Sequence, residues 1–244
     1  MNVDDLSDLP NNAIDLLKSS GVHTLYPPQK IAVEAGITQG KSVVASVPTA
    51  SGKTFIAELA MLSTIARGGK ALYIVPLRAL ANEKKQEFDR FDSIDISVGS
   101  STGDYESTDD WLSTKDIIVA TSEKVDSLIR NFAPWISDLT CVVADEIHLL
   151  DDASRGPTLE MTLSKLIHIN PNIQIVGLSA TVGNADQIAT WLDATLITST
   201  WRPISLRTGV YHDTSIHFDD GTIRDIPKNS NPVEDIIHDV LQED

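Results

Sequence analysis

Short runs rich in valine and isoleucine alternate along the chain with longer segments of helical periodicity, and this alternation restricts the fold more than any other feature. Such runs are typical of strands buried on both faces of a parallel sheet, with a helix connecting each strand to the next. The predicted strands are Ser42–Ser46, Ala71–Val75, Ile94–Gly99, Ile117–Ala120, Cys141–Ala144 and Ile173–Leu178. The predicted helices are Thr54–Ala66, Leu77–Phe91, Glu123–Asn131, Thr158–Ile167 and Asn184–Leu192. We therefore predict an α/β fold with a doubly wound, mostly parallel sheet and flanking helices, in which ligands bind beyond the carboxyl ends of the strands.

From Trp201 onward the pattern changes to short extended pieces. The segment Ser215–Ile223 contains an Asp-Gly pair that is typical of a β-hairpin turn, and it predicts a short carboxy-terminal β-hairpin extension. Pro227–Pro232 is polar and bounded by proline like a linker, and Val233–Leu241 returns to a helical pattern. We predict a core domain over residues 1–200, a β extension over 201–226, and a linker with the first helix toward a further, absent domain over 227–244.

The composition bears on location and on partners. No stretch approaches the roughly eighteen apolar residues that a membrane span needs, and the acidic start does not resemble a signal peptide, so we expect a cytoplasmic protein without membrane contact. The single cysteine, Cys141, lies in an apolar run and is expected to be a buried, inert thiol. The net charge of -16 argues against a nucleic-acid partner, but residues 213–244 alone hold nine carboxylates and two cations, so the excess acid is concentrated at one end.

A Gly-Lys-Thr sequence follows the first predicted strand and begins the first long helix. Backbone N–H groups in such a loop, together with the positive end of the helix, can surround a polyphosphate. Lys53 would reach the β- and γ-phosphates, and the Thr54 hydroxyl would ligate Mg²⁺. The general pattern has a glycine where this chain has Val47, and the alternative interpretation is an ordinary glycine-containing helix start. The predicted ATP-binding residues of this loop are Pro48, Thr49, Ala50, Ser51, Gly52, Lys53 and Thr54.

Two adjacent acids, Asp145 and Glu146, end the most apolar predicted strand. At the carboxyl end of a strand that faces a phosphate loop, Asp145 can hold Mg²⁺ through water and Glu146 can orient the attacking water. An acidic pair at this position is also common as a helix cap or a solvated turn. The loop upstream favours nucleotide hydrolysis, with ATP and Mg²⁺ as cofactors.

The sequence Asp145-Glu146-Ile147-His148 resembles the DExH box of helicases, and the chain as a whole resembles the archaeal, fork-processing, Ski-two-like DNA helicases of superfamily two. The resemblance also includes Ser101-Thr102-Gly103-Asp104-Tyr105, Thr121–Arg130, Arg155–Glu160 and Trp201-Arg202-Pro203. It implies that residues 1–200 form the first RecA-like domain of a motor that moves 3′ to 5′ on single-stranded DNA. Forked DNA, a monomeric state and contact with replication or repair proteins are further implications.

The resemblance also assigns roles to single residues. In the Q motif, Gln29 would recognise the edge of adenine, and His148 would couple the ATP site to the absent domain. Ser179, Ala180 and Thr181 resemble motif III, which links hydrolysis to movement of the strand. The residues implied in nucleic-acid contact are Pro76, Arg78, Thr102, Gly103, Thr121, Ser122 and Lys124. Taken singly, Thr121-Ser122 and Ser179-Ala180-Thr181 are also typical of helix caps.

Two alternatives remain open on the sequence: a helicase of the same group that remodels RNA, and a nucleotide-gated binding module that does not move on nucleic acid. Backbone contacts barely distinguish DNA from RNA, because the 2′-hydroxyl is the discriminating atom. In the family, arginine fingers of a second RecA-like domain stabilise the transition state. We therefore expect this chain alone to bind ATP but neither to hydrolyse it rapidly nor to unwind duplexes.

Overall fold

A parallel sheet of seven strands organises the first of two structural units, Met1–Trp201 and Arg202–Asp244. The computed structural model describes residues 1–103, 107–204, 206–226 and 231–240. The strands of the large sheet are β1 (Val43–Ser46), β2 (Lys70–Val75), β3 (Val98–Ser101), β4 (Ile117–Thr121), β5 (Leu139–Ala144), β6 (Gln174–Ser179) and β7 (Thr195–Thr198). They lie in the order β3-β4-β2-β5-β6-β1-β7, and each neighbouring pair is parallel. The predicted doubly wound α/β fold is confirmed, and it is RecA-like.

The helices of this unit cover the two faces of the sheet. They are α1 (Asn11–Ser19), α2 (Pro27–Glu34), α3 (Lys53–Ala66), α4 (Arg78–Phe88), α5 (Ser122–Arg130), α6 (Gly156–Ile169) and α7 (Ala185–Trp191). Buried side chains of α1 to α4 belong to one apolar cluster, and those of α5 to α7 belong to a second. Alternate strand residues point to opposite clusters, so that Tyr73 lies in the first and Leu72 in the second.

The sequence placed most elements correctly but misplaced one strand. In the predicted strand Ile94–Gly99, the first residue instead ends a 3₁₀ helix at Asp89–Ile94, and β3 begins only at Val98. Asp95 breaks the helix with a φ of +63°, a conformation in which aspartate is less penalised than most residues. The predicted helix Leu77–Phe91 correspondingly ends at Phe88. The short strand β7 and the helices α1 and α2 are not among the predicted strands and helices.

The carboxyl ends of the strands meet at one edge of the sheet. Ser46 of β1 is in register with Ser179 of β6, and Ala144 of β5 is in register with Gly177 of β6. The residues that directly follow β1, β5 and β6 therefore lie close together, although about a hundred residues separate the first of them from the second. Cys141 is fully buried in β5, and this burial raises the pKa of its thiol to about 12.

The second unit contains a small antiparallel sheet and a helix. Its strands are β8 (Gly209–His212), β9 (Ser215–Phe218) and β10 (Ile223–Asp225), and its helix is α8 (Pro232–Val240). The predicted hairpin is confirmed between β9 and β10, where Gly221 takes a φ of +82° in the turn. Of the predicted linker, residues 227–230 lie outside the described residues, as does Leu241 of the predicted helix. Across the described part of the chain, no helix is long and apolar enough to cross a membrane.

Gly156, the first residue of α6, tests how tightly the segment after the acidic pair is packed. A Cβ atom there would lie 2.2 Å from the Leu150 carbonyl oxygen and 3.1 Å from that of Leu149. We expect Gly156→Ala to lower the free energy of unfolding by about 1–3 kcal/mol, as overpacking does. Urea denaturation measures this change. Gly183→Ala is the control, because nothing lies within 4 Å of its added Cβ; an equal loss in both variants would contradict the packing argument.

Candidate nucleotide-hydrolysis site

The loop between β1 and α3 has the backbone of a phosphate-binding loop. Ala50 and Gly52 both have positive φ angles, of +66° and +82°, and α3 begins directly afterwards at Lys53. The buried Ser51 hydroxyl donates a hydrogen bond to the Pro48 carbonyl at 2.6 Å and closes the turn. These angles turn the chain sharply before the helix, so that the first N–H groups of α3 are available to an anion.

Lys53 and Glu146 meet above the carboxyl edge of the sheet. The Lys53 ammonium lies 3.7 Å from a Glu146 carboxylate oxygen, and the Lys53 side chain is only 13% exposed. Glu146 takes a φ of +50°, which is uncommon for a residue with a side chain and is often found at functional sites. The structure thus brings the loop lysine and the second acid of the DExH sequence together.

Asp145 is held by two hydrogen bonds at the end of β5. Its Oδ2 atom accepts from the Tyr73 hydroxyl at 2.8 Å, and its Oδ1 atom accepts from the Glu146 N–H at 2.9 Å. Tyr73 is fully buried in β2, and burial together with the nearby Asp145 carboxylate raises the pKa of its hydroxyl well above the usual value. Tyr73 therefore stays protonated and remains a donor that fixes the orientation of Asp145.

Thr54 and Asp145 supply the oxygen atoms that Mg²⁺ prefers. Among the residues that the structure describes, no group of three His, Cys, Asp or Glu side chains could hold a metal ion. The Thr54 hydroxyl accepts a hydrogen bond from the Lys84 ammonium at 3.0 Å in this structure.

His148 connects the acidic pair to the end of β6. Its Nδ1 atom lies 3.3 Å from Glu146 Oε2 and 3.5 Å from the Ser179 hydroxyl. The carbonyl of Ala180 accepts hydrogen bonds from both Ser179, at 2.7 Å, and Ser46 of β1, at 3.2 Å. The predicted coupling residues Ser179 and Ala180 are thus in contact with the site, while Thr181 is exposed beside them.

Gln29 packs against the phosphate-binding loop rather than pointing into solvent. Its Oε1 atom accepts from the Tyr26 N–H at 2.8 Å, and its Nε2 atom donates to the Gly52 carbonyl at 3.5 Å. A Cβ atom on Gly52 would lie 2.2 Å from Gln29 Nε2, so this position needs glycine for space as well as for its positive φ. The ring of Tyr26 packs on Trp201, with 4.6 Å between the ring centroids.

Four of the predicted nucleic-acid residues have access to solvent at the same edge of the sheet. Arg78 is exposed at the first turn of α4, Pro76 is half-buried just before it, and Gly103 is exposed after β3 with Thr102 half-buried beside it. The ends of β3, β4 and β2 are adjacent, because Ser101 pairs with Ala120, and Thr121 with Val75. Asp104 and Tyr105 of the same motif lie outside the described residues.

The other three predicted nucleic-acid residues are buried. Thr121 caps α5 by accepting from the Lys124 N–H at 3.4 Å, and Ser122 is only 5% exposed. The Lys124 side chain is fully buried, and its ammonium lies 3.1 Å from Asp109. Burial alone would raise the pKa of Asp109, but hydrogen bonds from Ser101 and Ser107 and the charge of Lys124 outweigh it and lower that pKa. A direct phosphate contact by Lys124 therefore does not fit this arrangement, in which its charge is used inside the protein.

Sequence reasoning missed three side chains that touch the site. Tyr73 offered a signal, since a tyrosine inside an apolar strand needs a partner for its hydroxyl. Ser46 is the last residue of β1 and could have been included with the other polar strand ends. Lys84 lies in a charged helical segment, and nothing in its sequence context distinguishes it from Lys85 next to it.

Several proteins with sequences similar to this chain are named as DNA helicases. ATP-dependent DNA helicase Hel308 of Methanocella arvoryzae is 54% identical over 216 residues, which cover 86% of this chain and 29% of the relative. The Hel308 helicase of Thermococcus kodakarensis is 50% identical, with 88% of this chain and 19% of the relative covered. The Hel308 helicase of Pyrococcus horikoshii is 43% identical, with 93% of this chain and 31% of the relative covered. The resemblance to archaeal DNA helicases is confirmed, and the chain spans between 19% and 31% of the length of these three relatives.

Solved structures and a family model agree with this finding. The crystal structure of the DUF1998 helicase MrfA matches with a TM-score of 0.69 at 24% identity, covering 79% of this chain and 33% of that chain. The structure of MrfA bound to DNA matches with a TM-score of 0.68 at 24% identity, covering 80% of this chain and 30% of that chain. At this identity the likeness concerns the fold. The model described as DEAD/DEAH box helicase matches residues 26–188, more than half of the sequence, and the chain therefore belongs to the DEAD/DEAH box helicase family.

Proposed function

We propose that this chain is the amino-terminal ATP-binding motor domain of an ATP-dependent DNA helicase of the DExH type. The observation that carries the proposal is the contact between the Lys53 ammonium and the Glu146 carboxylate, 3.7 Å apart, next to Thr54 and Asp145. The names of the relatives, ATP-dependent DNA helicases, support DNA as the substrate.

Each site residue has a distinct task in hydrolysis. The loop N–H groups and Lys53 would bind the phosphates, while Thr54 directly and Asp145 through water would hold Mg²⁺. Magnesium supplies positive charge that offsets the charge developing on the phosphates. Glu146 would orient the attacking water, since its carboxylate already lies beside the lysine that holds the terminal phosphate.

His148 is placed to respond to movements of the Glu146 carboxylate. It contacts Glu146 on one side and Ser179 on the other, so that a movement of the Glu146 carboxylate changes the environment of motif III. We propose that this contact transmits the structural change that follows ATP hydrolysis. The change would pass from the acidic pair to Ser179, Ala180 and Thr181, and from there to a second RecA-like domain. In the proposed whole protein, residues 227–244 lead toward that domain.

The edge formed by Pro76, Arg78, Thr102 and Gly103 is the proposed nucleic-acid surface. Backbone N–H groups, hydroxyls and a few cations at strand ends can follow the phosphates of a single strand without reading its bases. Such a surface can bind phosphates although the protein as a whole is strongly acidic, provided that the acidic side chains lie away from it. Movement 3′ to 5′, a preference for forked DNA, a monomeric state and contact with replication or repair proteins are proposed from the resemblance to the fork-processing helicases.

The two roles in the site can be separated by two substitutions. We expect Glu146→Gln to bind ATP with nearly unchanged affinity while its turnover falls. Lys53→Ala should weaken binding about tenfold to a hundredfold, because it removes charged hydrogen bonds to the phosphates. Fluorescence titration with mant-ATP and a phosphate-release assay measure the two effects.

The control for Lys53 is Lys18→Ala, which removes an exposed lysine that pairs with Asp4. Equal affinities in Lys53→Ala, Lys18→Ala and the unmodified chain would contradict the site. Unchanged turnover in Glu146→Gln would contradict the role of that carboxylate.

Arg78 tests the nucleic-acid surface. We expect Arg78→Ala to weaken binding to a fluorescent single-stranded DNA. The variant should also lose about one phosphate contact, which changes the slope of the logarithm of the binding constant against the logarithm of the salt concentration by roughly 0.7 for a single strand. Arg130→Ala at the far end of α5 is the control, since Arg130 is exposed and pairs with Asp126. Equal slopes for both variants would contradict the surface, and tighter binding of an RNA of the same sequence would favour the RNA-remodelling alternative.

Turnover by the chain alone tests the need for a second domain. We expect slow ATP hydrolysis and no duplex unwinding, because arginine fingers of the kind a second domain supplies typically contribute about three to five powers of ten in rate. Steady-state phosphate release, with and without single-stranded DNA, measures this. Rapid, DNA-stimulated turnover by the 244-residue chain would show that the proposed division of labour is wrong.

A further inference from the structure

Two basic side chains, one on α4 and one just after it, contact the first turns of α3. The Lys84 ammonium of α4 donates to the Thr54 hydroxyl at 3.0 Å and to Glu87 at 2.7 Å. Beyond the end of α4, Arg90 of the 3₁₀ helix Asp89–Ile94 pairs with Glu58, which is buried in α3. Lys84 therefore links α4 to the proposed magnesium ligand, while Arg90 holds the segment after the helix through a different partner.

The Lys84 ammonium and a magnesium ion compete for the same hydroxyl oxygen. Magnesium binds its oxygen ligands at about 2.1 Å. A hydroxyl oxygen has two lone pairs, so the ion and the ammonium do not need the same one, but an ammonium that stayed on Thr54 would lie within a few ångströms of the ion and be repelled by its charge. Only 14% of the Lys84 side chain is exposed, so water does not fully screen this repulsion. We therefore expect Lys84 to move away from Thr54 when the ion binds, with Glu87 as its remaining acceptor.

The continuous segment from β2 to α4, which contains Lys84, contacts both proposed magnesium ligands. Tyr73 of β2 donates to Asp145, and Lys84 of α4 donates to Thr54. The strand and the helix are joined at Pro76 and Leu77, and Arg78 follows as the first residue of the helix. A change at either proposed magnesium ligand would therefore act on the segment that carries part of the proposed nucleic-acid surface.

We propose that Lys84 is a positioning residue that competes with Mg²⁺ for the Thr54 hydroxyl, so that binding of the magnesium–nucleotide complex releases the hydrogen bond that joins α4 to Thr54 of α3. The proposal depends on the proposed function, because it requires a magnesium–nucleotide complex at Thr54. It adds a connection from the nucleotide to α4 that does not pass through the DExH sequence or motif III.

The experiment measures the Mg²⁺ concentration at which mant-ATP binding by the 244-residue chain is half-maximal, together with mant-ATP affinity in excess EDTA. In Lys84→Met, which keeps the length of the side chain and removes the charge, we expect the half-maximal Mg²⁺ concentration to fall about tenfold, the lower end of what one charged hydrogen bond contributes. Lys84→Arg keeps the charge and should stay near the unmodified chain. Lys84→Gln provides a second uncharged variant if the methionine variant is poorly folded.

The matched control is Lys85→Met. Lys85 is adjacent on α4 and pairs only with Asp89 in the contacts described. An unchanged Mg²⁺ requirement in both uncharged Lys84 variants would overturn the proposal, and so would an equal fall in Lys85→Met. A purely structural role would lower the thermal midpoint and weaken binding equally with Mg²⁺ and with EDTA. If mant-ATP binding by the unmodified chain did not depend on Mg²⁺ at all, the proposed function itself would fail.

Discussion

The contact between Lys53 and Glu146 depends on a distance that the sheet fixes. Strand β6 lies between β1 and β5, so the phosphate-binding loop and the acidic pair are two strand spacings apart, about 10 Å. A lysine at the start of α3 is long enough to span that gap and reach the acid. Gly177 of β6 lets the segment after the acidic pair pack closely, because an added Cβ would lie 2.9 Å from Ile147. The parallel order of the strands is therefore a precondition of the site.

Two residues of the site take unfavourable backbone conformations. Ala50 and Glu146 both take positive φ angles, which for residues with side chains cost about 1–2 kcal/mol each. The surrounding contacts offset this cost: Ser51 closes the loop on Pro48, and the Glu146 N–H is bonded to Asp145. Strain that is held by neighbouring bonds keeps the loop and the acid in one geometry before any ligand binds, which is what a phosphate-binding site requires.

The sequence was informative where local chemistry decides the structure. The loop around Gly52, the acids at the end of β5 and most strands follow from apolar runs and turn residues that any observer of the sequence can find. Tertiary packing decided the rest. Lys124 has the charge and position of a phosphate ligand, yet it is buried against Asp109, which lies fifteen residues away and on another element. Lys84 and Lys85 are equivalent in sequence, and only the position of Thr54 distinguishes them.

The most direct measurement is a crystal structure of the chain with a non-hydrolysable ATP analogue and Mn²⁺, located by its anomalous scattering. We expect one manganese ion bound to the Thr54 hydroxyl and the β- and γ-phosphates, with Asp145 linked to the ion through water and the Lys53 ammonium on the γ-phosphate. A metal and triphosphate bound away from Thr54, or a Lys53 side chain that points away from the phosphates while Glu146 lies on the far side of the loop, would contradict it.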